Sequence, residues 1–273
     1  MKILILTNSQ PNQIALVNKI YVKNKNISVI VRSPSKHSSN KKNFFSLKNL
    51  SLLICSFGAI LFFLNNWLKV QKYFKLHFPK FPVDPILEVT DINDPAVILE
   101  IEKLKPELVI VSGTNLLAEH LIKTIRAYAK IINLHTGISP YVKGGPNCTN
   151  WCIYHANFSF IGNTVMWLDC GIDSGNIIVS EQTSLNGDES FFELHLKVLE
   201  HAHTLYLNVV QHFIDGKPLL NVSQKSISCG NLYLTRDWTA FKMLVCLLNF
   251  YCSYKKSFQN KRKSIEPILI KLQ

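Results

Sequence analysis

Two polar motifs, far apart in the chain, carry the side chains that could do chemistry. The apolar run that starts at Ile131 ends in Asn133 and His135, which are two residues apart and so project from one face of a strand. Farther on, Asp173 stands in a glycine-flanked turn. An amide, an imidazole and a carboxylate can together stabilise an oxyanion and accept a proton from an attacking nucleophile. The three residues therefore indicate acyl transfer.

Each of these residues taken alone also has a purely structural explanation. A histidine near a strand end is often a partly buried, hydrogen-bonded residue, and an aspartate before Ser-Gly often forms a turn. The motifs Asn-x-His, Ser-Pro, Gly-Gly and Gly-x-Asp-x-Gly nevertheless follow one another in a single order. Such a series is much harder to obtain by chance than any one of its parts.

This series resembles the catalytic core of the formyltransferases that use 10-formyltetrahydrofolate as their formyl donor. The similarity covers roughly residues 85–190, and it departs from the family at Thr136, where proline is common. The matching pieces are Asn133, His135, Gly137, Pro140, Gly144, Gly162-Asn163-Thr164 and Asp173-Ser174-Gly175.

The resemblance implies a role for each residue of the site. Asn133 and a protonated His135 would donate hydrogen bonds to the oxyanion, and Asp173 would tune the imidazole or accept the amine proton. The pterin of the donor would lie between two loops, and no metal site is expected. One loop carries Asn115, Leu116 and Leu117, and the other carries Leu168, Asp169, Cys170, Gly171 and Ile172.

The order of apolar runs predicts an α/β fold. Residues 1–31 have a strand–helix–strand pattern, which favours a Rossmann-like core with a mostly parallel sheet flanked by helices. We expect a catalytic domain over 1–222, with an apolar helical insertion at about 49–68, and a small C-terminal extension over 223–273. A Gly-x-Gly-x-x-Gly loop is absent, which argues against a nicotinamide dehydrogenase and against the glycinamide ribonucleotide branch of the family.

The positive charge of the chain is concentrated in its first third. Residues 1–80 hold thirteen Lys or Arg and no Asp or Glu, although the formal net charge of the whole chain is +12. Such asymmetry indicates an anionic partner or merely a solvated basic face. The apolar segment 49–68 leaves three alternatives open: a core helix or an interface in a homodimer, a helix lying on an anionic membrane surface, or a membrane span.

The length of the chain narrows the choice of acceptor. Residues 223–273 are too few for the basic β-domain of the tRNA-directed formyltransferases, so no nucleic acid partner is expected. The resemblance then implies formyl transfer to a primary amine of a nucleotide-linked or lipid-linked amino sugar, an anionic small molecule. Scattered cysteines and the lack of a secretory signal favour a cytoplasmic protein, with a peripheral place at the inner membrane face if the acceptor is lipid-linked.

Two other classes of protein also remain compatible with the sequence. One is a nucleotide-binding oxidoreductase or glycosyltransferase, which would share the alternation of strands and helices but would not explain the three polar residues. The other is a non-catalytic membrane-surface protein built on the same fold.

Overall fold

A twisted sheet forms the centre of the chain. The computed structural model describes residues 1–33, 50–145, 147–259 and 266–272, with the backbone alone for 50–56. Its strands are β1 (Ile3–Asn8), β2 (Ile27–Arg32), β3 (Leu87–Val89), β4 (Leu108–Val111), β5 (Lys130–His135), β6 (Val142–Gly144), β7 (Gly162–Trp167), β8 (Ile177–Gln182) and β9 (Asn231–Tyr233).

The sheet confirms the predicted α/β fold. Within the described residues, seven strands follow the order β3-β2-β1-β4-β5-β7-β8, and β6 pairs with β9 in a second, two-stranded sheet. The pairs from β3 to β5 are parallel, whereas β7 runs antiparallel to both β5 and β8. The strands β1 and β4 are apolar along nearly their whole length, as expected of parallel strands covered on both faces.

Helices cover the two faces of the sheet. They are α1 (Pro11–Lys23), α2 (Leu50–His77), α3 (Pro95–Leu104), α4 (Glu119–Arg126), α5 (Cys148–Tyr154), α6 (Phe191–Ile214), α7 (Ala240–Asn249) and α8 (Lys255–Gln259). Successive residues of a strand point to opposite faces of the sheet. In β1, Ile3 and Ile5 pack with α1 and α6, whereas Leu4 and Leu6 pack with α3 and α4.

The ends of the helices follow local chemistry. Asp94 caps α3 as the sequence predicts, because its carboxylate accepts a hydrogen bond from Ala96 N at 2.9 Å. The sequence pattern predicts a helix over 116–129, but α4 is shorter. Before it, Ala118 N donates to the Asn93 side chain at 2.6 Å, which holds residues 116–118 as a loop beside the sheet.

The apolar insertion forms part of a longer helix than expected. The predicted segment starts at residue 49, outside the described residues, and α2 continues to His77. Val70 and Phe74 are buried against Ala15 of α1, so one side of α2 belongs to the core. No helix among the described residues is long and apolar enough to cross a bilayer.

The chain from residue 222 onward contacts both sheets. Val222 forms a β-bridge with Ile177, β9 pairs with β6, and Ser180 N donates to Ile270 O at 2.7 Å. The sequence predicts an irregular loop over 141–147, but this pairing turns part of it into a strand. The domain boundary at 222 stays a prediction.

Tyr206 fixes the strand ends that carry the polar motifs. This fully buried residue of α6 places its hydroxyl oxygen 2.8 Å from Ile132 O and 3.1 Å from Val111 O. The hydroxyl thus bridges the carboxyl ends of β4 and β5, directly before Asn133.

We expect Tyr206→Phe to lower the free energy of unfolding by about 1–2 kcal/mol, because two buried carbonyl groups lose their shared donor. Urea denaturation measures this loss. Tyr128→Phe is the matched control, since Tyr128 is 41% exposed and its change should leave the midpoint unaltered. Equal midpoints for both variants would contradict the bridging role.

Candidate active site

Asn133 and His135 stand on one face of β5 at its carboxyl end, as the two-residue spacing predicts. Asp173 reaches them from the loop between β7 and β8. Because β7 is antiparallel to β5, this loop starts beside the beginning of β5, where Leu168 N donates to Ile131 O at 3.0 Å. The loop then folds back along β5, so that Asp173 meets the end of the strand. Its backbone at Asp173 is left-handed, with a φ of 47°.

The three polar side chains converge on the Asp173 carboxylate. Asn133 Nδ2 donates to Asp173 Oδ1 at 3.3 Å, and His135 Nδ1 lies 3.2 Å from Asp173 Oδ2. The backbone N–H of Gly144 donates to the same Oδ2 at 2.9 Å. Gly144 has a φ of +90°, and a Cβ there would collide with Tyr233 O, so this donor position requires glycine.

His135 is a buried cation. Its Nε2 lies 2.9 Å from Val142 O, and a carbonyl oxygen can only accept, so Nε2 carries a proton. The Asp173 carboxylate likewise calls for a proton on Nδ1. Burial alone lowers the pKa of His135, but the Asp173 carboxylate, the Cys148 sulfur and Val142 O outweigh it and raise the pKa to about 10.

This geometry differs from the hypothesis that His135 donates directly to an oxyanion. Both of its ring N–H groups already have acceptors, Asp173 and Val142 O. The imidazolium can therefore act on the adjoining cleft through its charge, while Asn133 is the half-buried amide at the surface of the site.

Gln224 supports the site, although no sequence pattern predicts it. It is buried, and its Nε2 donates to Asp173 O at 2.8 Å and to Gly175 O at 2.7 Å. These two bonds fix the backbone on both sides of Ser174. Nothing in the sequence near Gln224 signals this role, because the contact joins residues about fifty positions apart.

A cleft of about 680 Å³ opens beside these residues. Its lining includes Asn133, His135 and Asp173, together with every residue that the resemblance assigns to pterin binding. These are Asn115, Leu116 and Leu117 on one wall and Leu168, Asp169, Cys170, Gly171 and Ile172 on the other.

Both walls of the cleft are held in place by hydrogen bonds. Asn115 donates to Asp91 Oδ1 at 2.8 Å and accepts from Ile92 N at 3.2 Å. On the other wall, Asp169 Oδ1 accepts from Gly171 N at 3.1 Å and from Ser174 Oγ at 2.6 Å. The loops that form both walls of the cleft are therefore held by hydrogen bonds within the protein.

The cleft contains little free positive charge. None of its described lining residues is Lys or Arg. His195 and His203 also line it, but burial lowers the pKa of His195 to about 4, and burial together with Lys19 lowers that of His203 to about 3. Both histidines are neutral near pH 7. Among the described residues that line the cleft, His135 therefore carries the positive charge.

Comparison with known proteins extends the sequence resemblance. The family model described as Formyl transferase matches residues 1–210. The methionyl-tRNA formyltransferase of Syntrophus aciditrophicus is 30% identical over 146 residues, which are 53% of this chain and 45% of that protein. The chain thus spans about half the length of the relatives of this kind that it matches.

Two solved structures share the fold. A sugar N-formyltransferase from a Shewanella species has a TM-score of 0.56 and 14% identity, covering 92% of this chain and 87% of that one. An N-formyltransferase from Helicobacter canadensis has a TM-score of 0.55 and 16% identity, covering 92% of this chain and 80% of that one.

The charge state of His135 predicts a pH dependence of stability. A histidine whose folded pKa is raised stabilises the fold fully below its unfolded pKa, and this stabilisation is lost as the pH rises through the folded pKa. We expect the His135 contribution to disappear between about pH 6.5 and 10. Urea unfolding across this range should give a steeper fall for the wild type than for His135→Asn, which cannot titrate. Parallel curves for the two proteins would refute a charged His135.

We expect Gln224→Leu to loosen the Asp173 loop. The free energy of unfolding should fall by about 1–3 kcal/mol for each carbonyl group left without its donor. The pKa of His135, followed by NMR titration, should also fall as its carboxylate partner moves. Lys225→Gln, at the neighbouring exposed residue, is the control and should alter neither quantity. A lower stability with an unchanged pKa would show that Gln224 supports the fold without positioning Asp173.

Proposed function

This chain belongs to the formyl transferase family, and we propose that it transfers a formyl group from 10-formyltetrahydrofolate to the primary amine of an amino sugar. The observation that carries the proposal is the meeting of Asn133, His135 and Asp173 at the wall of one preorganised cleft. A nucleotide-binding oxidoreductase or a glycosyltransferase has no use for these three residues in this arrangement.

The reaction forms one C–N bond and breaks another. The lone pair of the acceptor amine attacks the formyl carbon, the bond from that carbon to N10 of the folate breaks, and an amine proton is released while N10 gains one. Negative charge collects on the formyl oxygen in between, and groups aimed at this charge stabilise the transition state. Asn133 can offer an amide hydrogen, and the His135 imidazolium offers its charge across a short distance.

Asp173 is the group suited to handling the amine proton. Its carboxylate has three donors, from Asn133, His135 and Gly144, and its side chain is 12% exposed toward the cleft. These donors hold the carboxylate in a fixed position at the edge of the cleft. The ion pair with His135 keeps the site electrically balanced before the amine arrives.

The cleft fits the formyl donor by its shape and lining. Its two walls combine apolar side chains, such as Leu117 and Leu168, with turns of exposed backbone, such as the one at Gly171. A flat pterin ring requires such a slot with a few polar groups at its edge. The fixed hydrogen bonds of Asn115 and Asp169 mean that little conformational entropy is lost on binding.

The choice of an amino sugar as acceptor draws on the structural neighbours and on the edge of the cleft. The Helicobacter canadensis structure is described as a complex with folinic acid and dTDP-3-aminofucose. In this chain, Gln10, Asn12 and Gln13 at the start of α1 line the cleft, and the N-terminal end of a helix dipole favours an anionic group. We infer an acceptor that carries a phosphate, either on a nucleotide or on a lipid.

We expect Asn133→Ala and Asp173→Asn each to reduce kcat by about 100- to 1000-fold, because each removes a group that acts on the reacting atoms. The assay supplies 10-formyltetrahydrofolate with a panel of nucleotide-linked amino sugars and detects the added formyl group by mass spectrometry. Asn157→Ala, at an exposed position outside the cleft lining, is the control. Full activity in either site variant, with an unaltered fold by circular dichroism, would contradict these roles.

A further inference from the structure

One side of α2 presents apolar residues to solvent. Phe57, Leu61, Leu64 and Leu68 are 62%, 48%, 51% and 55% exposed. Their spacing of four, three and four residues places them in one stripe along the helix. The side chains are too large and too exposed, and too close to one another, to be single apolar residues scattered over a surface.

The stripe ends in positive charge. Lys72 and Lys75 continue the same spacing toward the end of α2, and Lys69 lies beside them; all three are exposed. None of these lysines forms an ion pair with the part of the chain that the structure describes. We call Phe57, Leu61, Leu64, Leu68, Lys69, Lys72 and Lys75 the outer face of α2.

A second helix enlarges the apolar surface next to this face. The ring of Tyr251, directly after α7, packs edge-on against Phe62 of α2 with centroids 6.3 Å apart. Tyr251 and Leu248 are themselves 68% and 55% exposed. The apolar surface therefore spans two neighbouring helices.

We propose that the outer face of α2 docks onto the surface of a lipid bilayer that contains anionic lipids. A helix lying in a membrane interface buries an apolar side among the acyl chains and places lysines at the headgroups, where anionic lipids attract them. Both requirements are met on this face. The docking surface is separate from formyl transfer and does not depend on it.

A second copy of the chain suits this face less well. In a symmetric dimer the same surface meets itself across a two-fold axis. The lysines of each copy would then lie against the lysines or the apolar residues of the other, and the face contains no carboxylate to pair with them. Anionic headgroups supply the opposite charge that a second copy lacks.

The main cleft lies close to the outer face of α2. A second pocket of about 300 Å³ lies under α2 and is lined by Leu64 of the outer face and by apolar neighbours such as Phe63 and Val70. It shares Trp67, Asn147 and His195 with the lining of the main cleft. Docking through α2 therefore brings the active-site cleft close to the headgroups, where an acceptor attached to a lipid would be presented.

Sedimentation with vesicles tests the proposal. Wild-type protein is mixed with phosphatidylcholine vesicles that either contain or lack phosphatidylglycerol, at low and at high salt. We expect binding to the anionic vesicles at low salt, with a weaker interaction at high salt or without phosphatidylglycerol. The double variant Phe57→Glu/Leu61→Glu should bind at least about tenfold more weakly. Lys72→Gln/Lys75→Gln should bind roughly 25-fold more weakly, at about fivefold per lysine.

Matched controls come from exposed positions on elements other than α2. Leu99→Glu on α3 changes a 65% exposed leucine, and Lys130→Gln changes an exposed lysine; both should bind like the wild type. Circular dichroism establishes that each variant is folded. Failure of the wild type to bind anionic vesicles, or equal binding by the α2 variants and the controls, would overturn the proposal. A dimer that separates on Phe57→Glu/Leu61→Glu, with no vesicle binding, would overturn it in favour of a self-association surface.

Discussion

The ion pair between His135 and Asp173 is the interaction on which the rest of the site depends. Each partner is nearly buried, and a buried charge left without its partner typically costs about 3–5 kcal/mol. The chain meets this constraint by placing a backbone acceptor and a backbone donor beside the pair. The carbonyl of Val142 accepts from the imidazolium, and the amide of Gly144 donates to the carboxylate. Both groups belong to β6, so this short strand serves both halves of the pair.

The surrounding fold serves to keep these elements in register. Tyr206 joins the ends of β4 and β5, and the antiparallel strand β7 returns its loop along β5. β9 holds β6 in place, and Gln224 holds the backbone that carries Asp173. Residues from the last quarter of the chain thus support a candidate site whose three polar side chains, Asn133, His135 and Asp173, lie before residue 175. The polar side chains of the site and the residues that hold them in place therefore come from different parts of the sequence.

Local rules made the placement of Asn133 and His135 predictable, whereas the residues that support them depend on distant contacts. The spacing of Asn133 and His135 determines their common face, and Asp94 before Pro95 marks the start of α3. In contrast, a backbone carbonyl such as Val142 O has no signature in sequence. The pairing of β6 with β9 joins short segments of weak pattern, so a loop was the natural expectation there. The charge of His135 likewise follows from two acceptors that only the folded chain brings together.

The loop over 168–175 has two roles. Its first half forms one wall of the cleft, and its second half carries Asp173. A molecule bound against Leu168 or Gly171 therefore contacts the same short loop that positions the Asp173 carboxylate beside the imidazole of His135. Coupling free energies are reciprocal, so whatever occupancy does to proton affinity, protonation does to ligand affinity. The proton affinity of His135 and the affinity of the cleft for a bound molecule are accordingly linked, and binding changes the macroscopic constant with which the site titrates.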